Sequence, residues 1–197
     1  MKMISDLLIT ALFTVFVQNL VFSSGLGMSE AIRVSTKPGT FGRFALMISG
    51  FSVVTSVICS VINTVSGFSS LPFAGKAAVY AGVLAGVYIV ASLVLKIFFR
   101  ASDKLLGTFG IAALNTLVFA VPFINESAAY SFADAIGSGI GAGIAFVLAA
   151  ALISKGSQVL STNESIPEAF RGTPSMLIYV GLLSLAFAGF ADSTLFA

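Results

Sequence analysis

Long apolar runs separated by short polar connections set the pattern along this chain. Six of them suffice, or nearly so, to cross roughly 30 Å of hydrocarbon as helices rising ~1.5 Å per residue. They run from about Ile4 to Phe22, Phe44 to Ile62, Ala77 to Phe99, Leu105 to Ile124, Ala128 to Ile153 and Pro174 to Phe190, with Asp192 just beyond the last. Between the first two lies a polar connection with Glu30, Arg33, Lys37, Pro38 and Arg43, and after the fifth comes a polar stretch, Ser154 to Thr173. Gly25-Leu26-Gly27 interrupts the end of the first run while apolar residues continue on both sides, which predicts a discontinuous helix. Pro122 interrupts the fourth near its end.

One short pattern occurs twice. Gln18-Asn19-Leu20-Val21-Phe22 lies in the first run, and Asn115-Thr116-Leu117-Val118-Phe119 in the fourth. An amide inside an apolar span is costly unless it finds a partner. Each copy opens one half of the chain, so the halves, about 1–100 and 101–197, are read as related repeats within one membrane domain. The two Asn-bearing segments are expected to meet near the bilayer midplane. With three spans per half, an odd number, the copies must be inverted relative to one another. The expected fold is therefore all-α: a polytopic membrane protein of six transmembrane helices in two inverted three-helix repeats, with helices one and four discontinuous.

Composition agrees. Of 197 residues, 57% are hydrophobic and 9% are charged. Soluble domains carry about 25% charged residues, so the apolar excess must face lipid. A net charge of +2 gives no footprint for nucleic acid. There is no histidine and one cysteine, which excludes a His-held haem, a His-ligated metal, an intrachain disulfide and a His-based catalytic relay. Connections after spans one, three and five hold Arg33, Lys37, Arg43, Lys96, Arg100, Lys104, Lys155 and Arg171; the opposite side holds only Lys2 and Lys76. By the positive-inside rule both termini are expected outside the cytoplasm. Lys2, the apolar core after it and Ser23-Ser24-Gly25 have the outline of a signal peptide, but the repeat requires this segment in the mature protein.

Candidate chemistry is sparse. Gly137-Ser138-Gly139-Ile140-Gly141-Ala142-Gly143 has the look of a dinucleotide loop, yet it lies inside a span with no strand before it. Glycines four apart there, and Gly82 with Gly86 in span three, are read as sites of close helix packing. Cys59 is read as a structural thiol. Asp134 is an ion-path candidate as an intramembrane carboxylate, or else an interfacial group near Glu126. Gln18, Asn19 and Asn115 either line an ion path or bond the loose backbone of broken helices. No catalytic residue is identified.

The closing block carries a family resemblance. Ile166-Pro167-Glu168-Ala169-Phe170-Arg171-Gly172-Thr173-Pro174, then Leu177-Ile178 and Gly181 to Phe190, resembles the A-type integral membrane subunit of Rnf complexes and, equally, the E-type subunit of sodium-pumping Nqr complexes. Val17 to Val21, Leu26-Gly27, Leu105-Leu106-Gly107 and Asn115 fit the same family, and the likeness covers essentially the whole chain.

The resemblance implies a subunit of the bacterial cytoplasmic membrane, paired with a homologous subunit of opposite orientation. It implies an intramembrane [2Fe-2S] cluster shared by the two, passing electrons in a reaction coupled to sodium or proton movement. This chain departs from the pattern where that cluster would be held. Ser29 stands at the family's first cysteine position and Thr116 at the second. Iron–sulfur clusters are held by soft thiolates, so no cofactor is expected on this chain. Two functions follow as expectations. One is a scaffold or ion-path subunit of an Rnf/Nqr-like assembly that has lost its cluster site, with a homologous partner or as a homodimer. The alternative is a stand-alone small-solute or ion transporter or channel on the same inverted-repeat fold.

Overall fold

The computed structural model describes residues 2–191, so Asp192 lies outside the described residues. Among these the chain is helical with no strand. Its helices are α1 (Lys2–Phe13), α2 (Leu20–Ser24), α3 (Met28–Ser35), α4 (Phe41–Asn63), α5 (Phe73–Phe98), α6 (Asp103–Ala113), α7 (Thr116–Ser127), α8 (Phe132–Thr162) and α9 (Thr173–Ala191), with a π-helical turn at Thr14–Gln18. Six helical stretches are long and apolar enough to cross a membrane: Lys2–Ser24, Phe41–Asn63, Phe73–Phe98, Asp103–Ser127, Phe132–Thr162 and Thr173–Phe190. The first and fourth are interrupted, at Asn19 and at Leu114-Asn115.

Helices α4 and α8 form the centre and make the most extensive contact in the molecule. Glycine makes this possible. A Cβ on Gly139 would lie 2.7 Å from the backbone nitrogen of Val53, and one on Gly143 would overlap Ser49 Oγ. On the other side of α8, a Cβ on Gly137 would run into the Leu7 carbonyl, and one on Gly141 would lie 2.7 Å from that of Ala11. The four glycines thus form two close seams on one helix, one against α4 and one against α1. Residue numbers fall along α4 as they rise along α8, so these two run antiparallel, whereas α1 and α8 run parallel. Phe44 and Phe146 (ring centroids 5.5 Å apart) and Phe51 and Phe109 (4.6 Å) fill the space around the crossing.

The two halves have matching parts. In each, a broken helix comes first, a central helix second (α4, α8) and a peripheral helix third (α5, α9). The peripheral pair is largely uncovered: Phe98 is 77% exposed and Leu185 71%. Exposed side chains of this type suit hydrocarbon, not water.

Three features depart from the sequence reading. First, Gly82 and Gly86 have no close neighbour among the described residues, since a Cβ on either would meet nothing within 4 Å. They lie on the uncovered face of α5, and spacing alone does not say which side of a helix is covered. Second, part of the connection after span one is helix α3. Ala31, Val34 and Ser35 are buried along one side, while Glu30 and Arg33 pair at 2.5 Å outside. Third, the polar stretch after span five begins as helix, and α8 continues to Thr162. The Tyr179 ring packs on Gly156, where a Cβ would overlap it, and its hydroxyl donates to the Leu152 carbonyl at 3.1 Å. Packing against α9 therefore carries α8 past its apolar part, up to Asn163.

Candidate functional site

At the first break the π-helical turn ends on Asn19, whose backbone (φ 12, ψ 75) is not helical. Its side chain holds both ends: Oδ1 accepts the Phe22 N–H at 3.3 Å, and Nδ2 donates to the Val15 carbonyl at 2.8 Å. Helix α2 then stops at Gly25 in the left-handed conformation, φ +69. The Gly25 and Leu26 N–H groups both return to the Leu20 carbonyl, the latter at 3.1 Å, so the turn closes on a carbonyl of the helix end. Gly27, again left-handed at φ +74, starts α3.

At the second break Asn115 is extended (φ −70, ψ 136) and caps α7, its Oδ1 accepting the Leu117 N–H at 2.9 Å. Inside a bilayer such a cap replaces the water that would otherwise satisfy a free N–H. Asn115 Nδ2 is buried and has no hydrogen-bond partner among the described residues. One bond ties the breaks together: the Gly27 N–H donates to Thr116 Oγ1 at 3.0 Å.

Around that bond lies a cavity of 440 Å³, lined among others by Gly25, Gly27, Ser29, Glu30, Gly107, Asn115 and Thr116. Ser29 and Thr116, far apart in sequence, face the same space. Both are exposed, while Asn115 behind them is buried. The cavity is lined by the first turns of two helices, α3 and α7. Free N–H groups at helix N-termini carry partial positive charge, so this space favours a negative or electron-rich group. Glu30 meets that polarity in the first turn of α3.

The structure does not gather every candidate here. Asn19 does not line the cavity; Gly27 is what meets the Asn115 segment. Asp134 lies at the other end of the span, as the partner of Ser131 in a capping box at the start of α8. It also accepts a hydrogen bond from Thr10 Oγ1 at 2.7 Å. Gln18 reaches the same end, with Nε2 3.5 Å from the Tyr130 hydroxyl. Tyr130 is in the connection beyond the span. Burial, then the Asp134 carboxylate, hold its phenol above the ordinary value, and the Gln18 contact works in the opposite direction. Cys59 lies elsewhere, buried beside Phe68 and Tyr80.

A second polar region escaped the sequence reading. Asn125 is 6% exposed, and neither atom of its amide has a partner among the described residues. Beside it Glu126 pairs with Lys76, and the Tyr80 hydroxyl lies 2.9 Å from Glu126 Oε2 and 2.8 Å from Asn63 Oδ1. Its signal in the sequence is an asparagine about one turn past Pro122, which passes for the polar end of a span.

The family model described as "Rnf-Nqr subunit, membrane protein" matches residues 7–193. The E-type subunit of the Na(+)-translocating NADH-quinone reductase of Pseudoalteromonas translucida is 30% identical over 195 residues, spanning 92% of this chain and 95% of its own. The A-type subunit of the Na(+)-translocating ferredoxin:NAD(+) oxidoreductase complex of Acetobacterium woodii is 28% identical over 188 residues, 92% of this chain and 94% of its own. Its counterpart in the ion-translocating oxidoreductase complex of Syntrophotalea carbinolica is 30% identical over 193 residues, 94% and 96%. The matched region includes both breaks and the cavity between them.

Proposed function

Because this chain belongs to the Rnf-Nqr family of membrane subunits, we propose that it serves as a membrane subunit of an ion-translocating oxidoreductase assembly and holds no iron–sulfur cluster of its own. Its part is that of a scaffold or ion-path subunit. The observation that carries this reading is the donor set at the central cavity. Ser29 and Thr116 line it, and Thr116 Oγ1 is already engaged by the Gly27 N–H. Neutral hydroxyls are poor substitutes for the thiolates that iron–sulfur clusters require. Cys59 lies in a separate apolar cluster and does not line the cavity. A [2Fe-2S] group does not fit these residues, and no electron-transfer step is assigned to them.

The partner in this reading is a homologous membrane subunit of opposite orientation, or a second copy of the chain. The cavity opens at an exposed surface, which suits a neighbour closing it. The side with Lys37, Arg43, Lys96, Arg100 and Lys104 faces the cytoplasm of a bacterial cell, and both termini lie on the other side of the cytoplasmic membrane.

Mild-detergent isolation of a tagged chain at native expression tests this. The expected result is co-purification with further membrane and redox subunits. A solitary species that conducts ions or solutes in vesicles would overturn the reading and favour a stand-alone transporter, for which a midplane cavity between broken helices is also suited.

A further inference from the structure

We propose that the cavity around Asn125 is a hydrated inlet that admits a monovalent cation from the membrane face opposite the basic loops. The cavity measures 460 Å³ and is distinct from the one at the helix breaks. Ser56, Ser60, Asn63, Asn125 and Glu126 are among its lining residues. Asn125 turns a buried amide into it with both polar atoms unpartnered, and Ser56, 1% exposed, does the same with its hydroxyl. Ser52 lies one helical turn deeper on α4 than Ser56, and it too buries a hydroxyl with no partner among the described residues. Polar groups withdrawn this completely from protein partners are kept satisfied by water or an ion. Hydroxyls and an amide, able both to donate and to accept, are suited to carry water inward from the cavity along α4.

The sign of the occupant follows from the helix ends. Asn63 and Thr64 close α4, and Asn125, Glu126 and Ala129 stand at the end of α7; all line this cavity. Two helix C-termini therefore face it, and although turn N–H groups bond several of their last carbonyls, the helix dipoles leave this end partially negative. The one N-terminus among the described residues of the cavity is that of α8, which begins after Ser131 and is covered by the Asp134 carboxylate. Lys76 is neutralised by Glu126. What remains is a field that attracts cations, of opposite polarity to the central cavity, where two N-termini meet. The inference rests on the cavity's own groups. It takes from the proposed function only the idea that a cation is the cargo, so failure of the chain to assemble with other subunits would leave it intact.

Thiol modification in lipid nanodiscs, with both faces open to water, tests it on the full chain. In a Cys59→Ala background, Asn125→Cys is treated with a cationic or an anionic water-soluble methanethiosulfonate. The expected result is modification, with a cationic-to-anionic rate ratio about tenfold above that of a free thiol in the same buffer. Ser60→Cys, nearer the mouth, gives the same preference and carries the test if the Asn125 variant does not fold. Leu46→Cys, facing lipid, serves as the unreactive reference. Modification of both cavity thiols no faster than at Leu46→Cys would show that water does not reach the cavity. A ratio no higher than that of the free thiol would overturn the cation assignment.

Discussion

Replacing Gly139 with leucine is expected to prevent the bundle from assembling. The first added carbon would lie 2.7 Å from the Val53 backbone nitrogen and 2.8 Å from its Cα. Backbone cannot turn aside as a side-chain tip can, so α4 and α8 would have to separate along their whole crossing. A loss of at least about 3 kcal/mol is expected, at the upper end for overpacking, because this seam is the core of the fold. Gly82→Leu is the matched control. A Cβ there meets nothing within 4 Å, and the isolated chain should change by no more than about 0.5 kcal/mol. Thermal unfolding in detergent, with the fraction of monodisperse protein after heating, separates the two variants. Similar behaviour of both would mean that the α4–α8 crossing is not as close as described.

The second large effect is expected at Gly27, and Gly25 shows why. Both residues are left-handed, at φ +74 and +69, and an alanine in that region costs about 1–2 kcal/mol. Around Gly25 a Cβ meets nothing within 4 Å, so the backbone cost stands alone. At Gly27 the same carbon would approach Asn115 Oδ1 to 2.9 Å and Leu117 Cβ to 3.2 Å. Displacing Asn115 uncaps α7, which adds roughly 1 kcal/mol by the usual worth of such a cap. Gly27→Ala should therefore destabilise by about twice as much as Gly25→Ala. In an Asn115→Ala background, where the cap is already gone, the excess should shrink, and a double-mutant cycle measures this directly. An unchanged excess would show that the contact between the two breaks does not carry the effect.

The contrast between these glycines also marks how far the sequence could be read. Long apolar runs and sparse charge were enough for six spans, since length and hydropathy act locally along the chain. The helix end at Gly25-Leu26-Gly27 was legible because the two glycines break a helix whatever it packs against, whereas the interruption inside the first span falls at Asn19, held by that residue's own bonds to the backbone. Packing partners were not legible in the same way. Gly82 and Gly86 have the spacing of a close helix contact, as do Gly139 and Gly143, yet only the latter pair has a close neighbour among the described residues of this chain. The extent of α8 depended on Tyr179, a tertiary contact invisible to hydropathy.

At the site, spacing and resemblance pointed to Ser29, Asn115 and Thr116, which the structure places at one cavity. Gln18, Asn19 and Asp134 stand out by their polarity inside spans. Polarity did not reveal that Asn19 bonds the backbone on both sides of its own break, or that Asp134 completes a capping box. Asn125 does not stand out in the sequence, because its lack of partners among the described residues is a property of the packed helices and not of its neighbours in sequence.

Ser29 and Thr116 are the residues on which the functional account turns, and iron analysis addresses them most directly. The chain, purified under anaerobic conditions both by itself and paired with its homologous membrane subunit alone, so that a cluster shared by the two would be retained, is assayed for bound iron and for visible absorption. Hydroxyls at the central cavity predict iron at background level and a colourless protein. Stoichiometric iron with a visible charge-transfer band, lost on Thr116→Val, would contradict the account and make this chain a redox subunit.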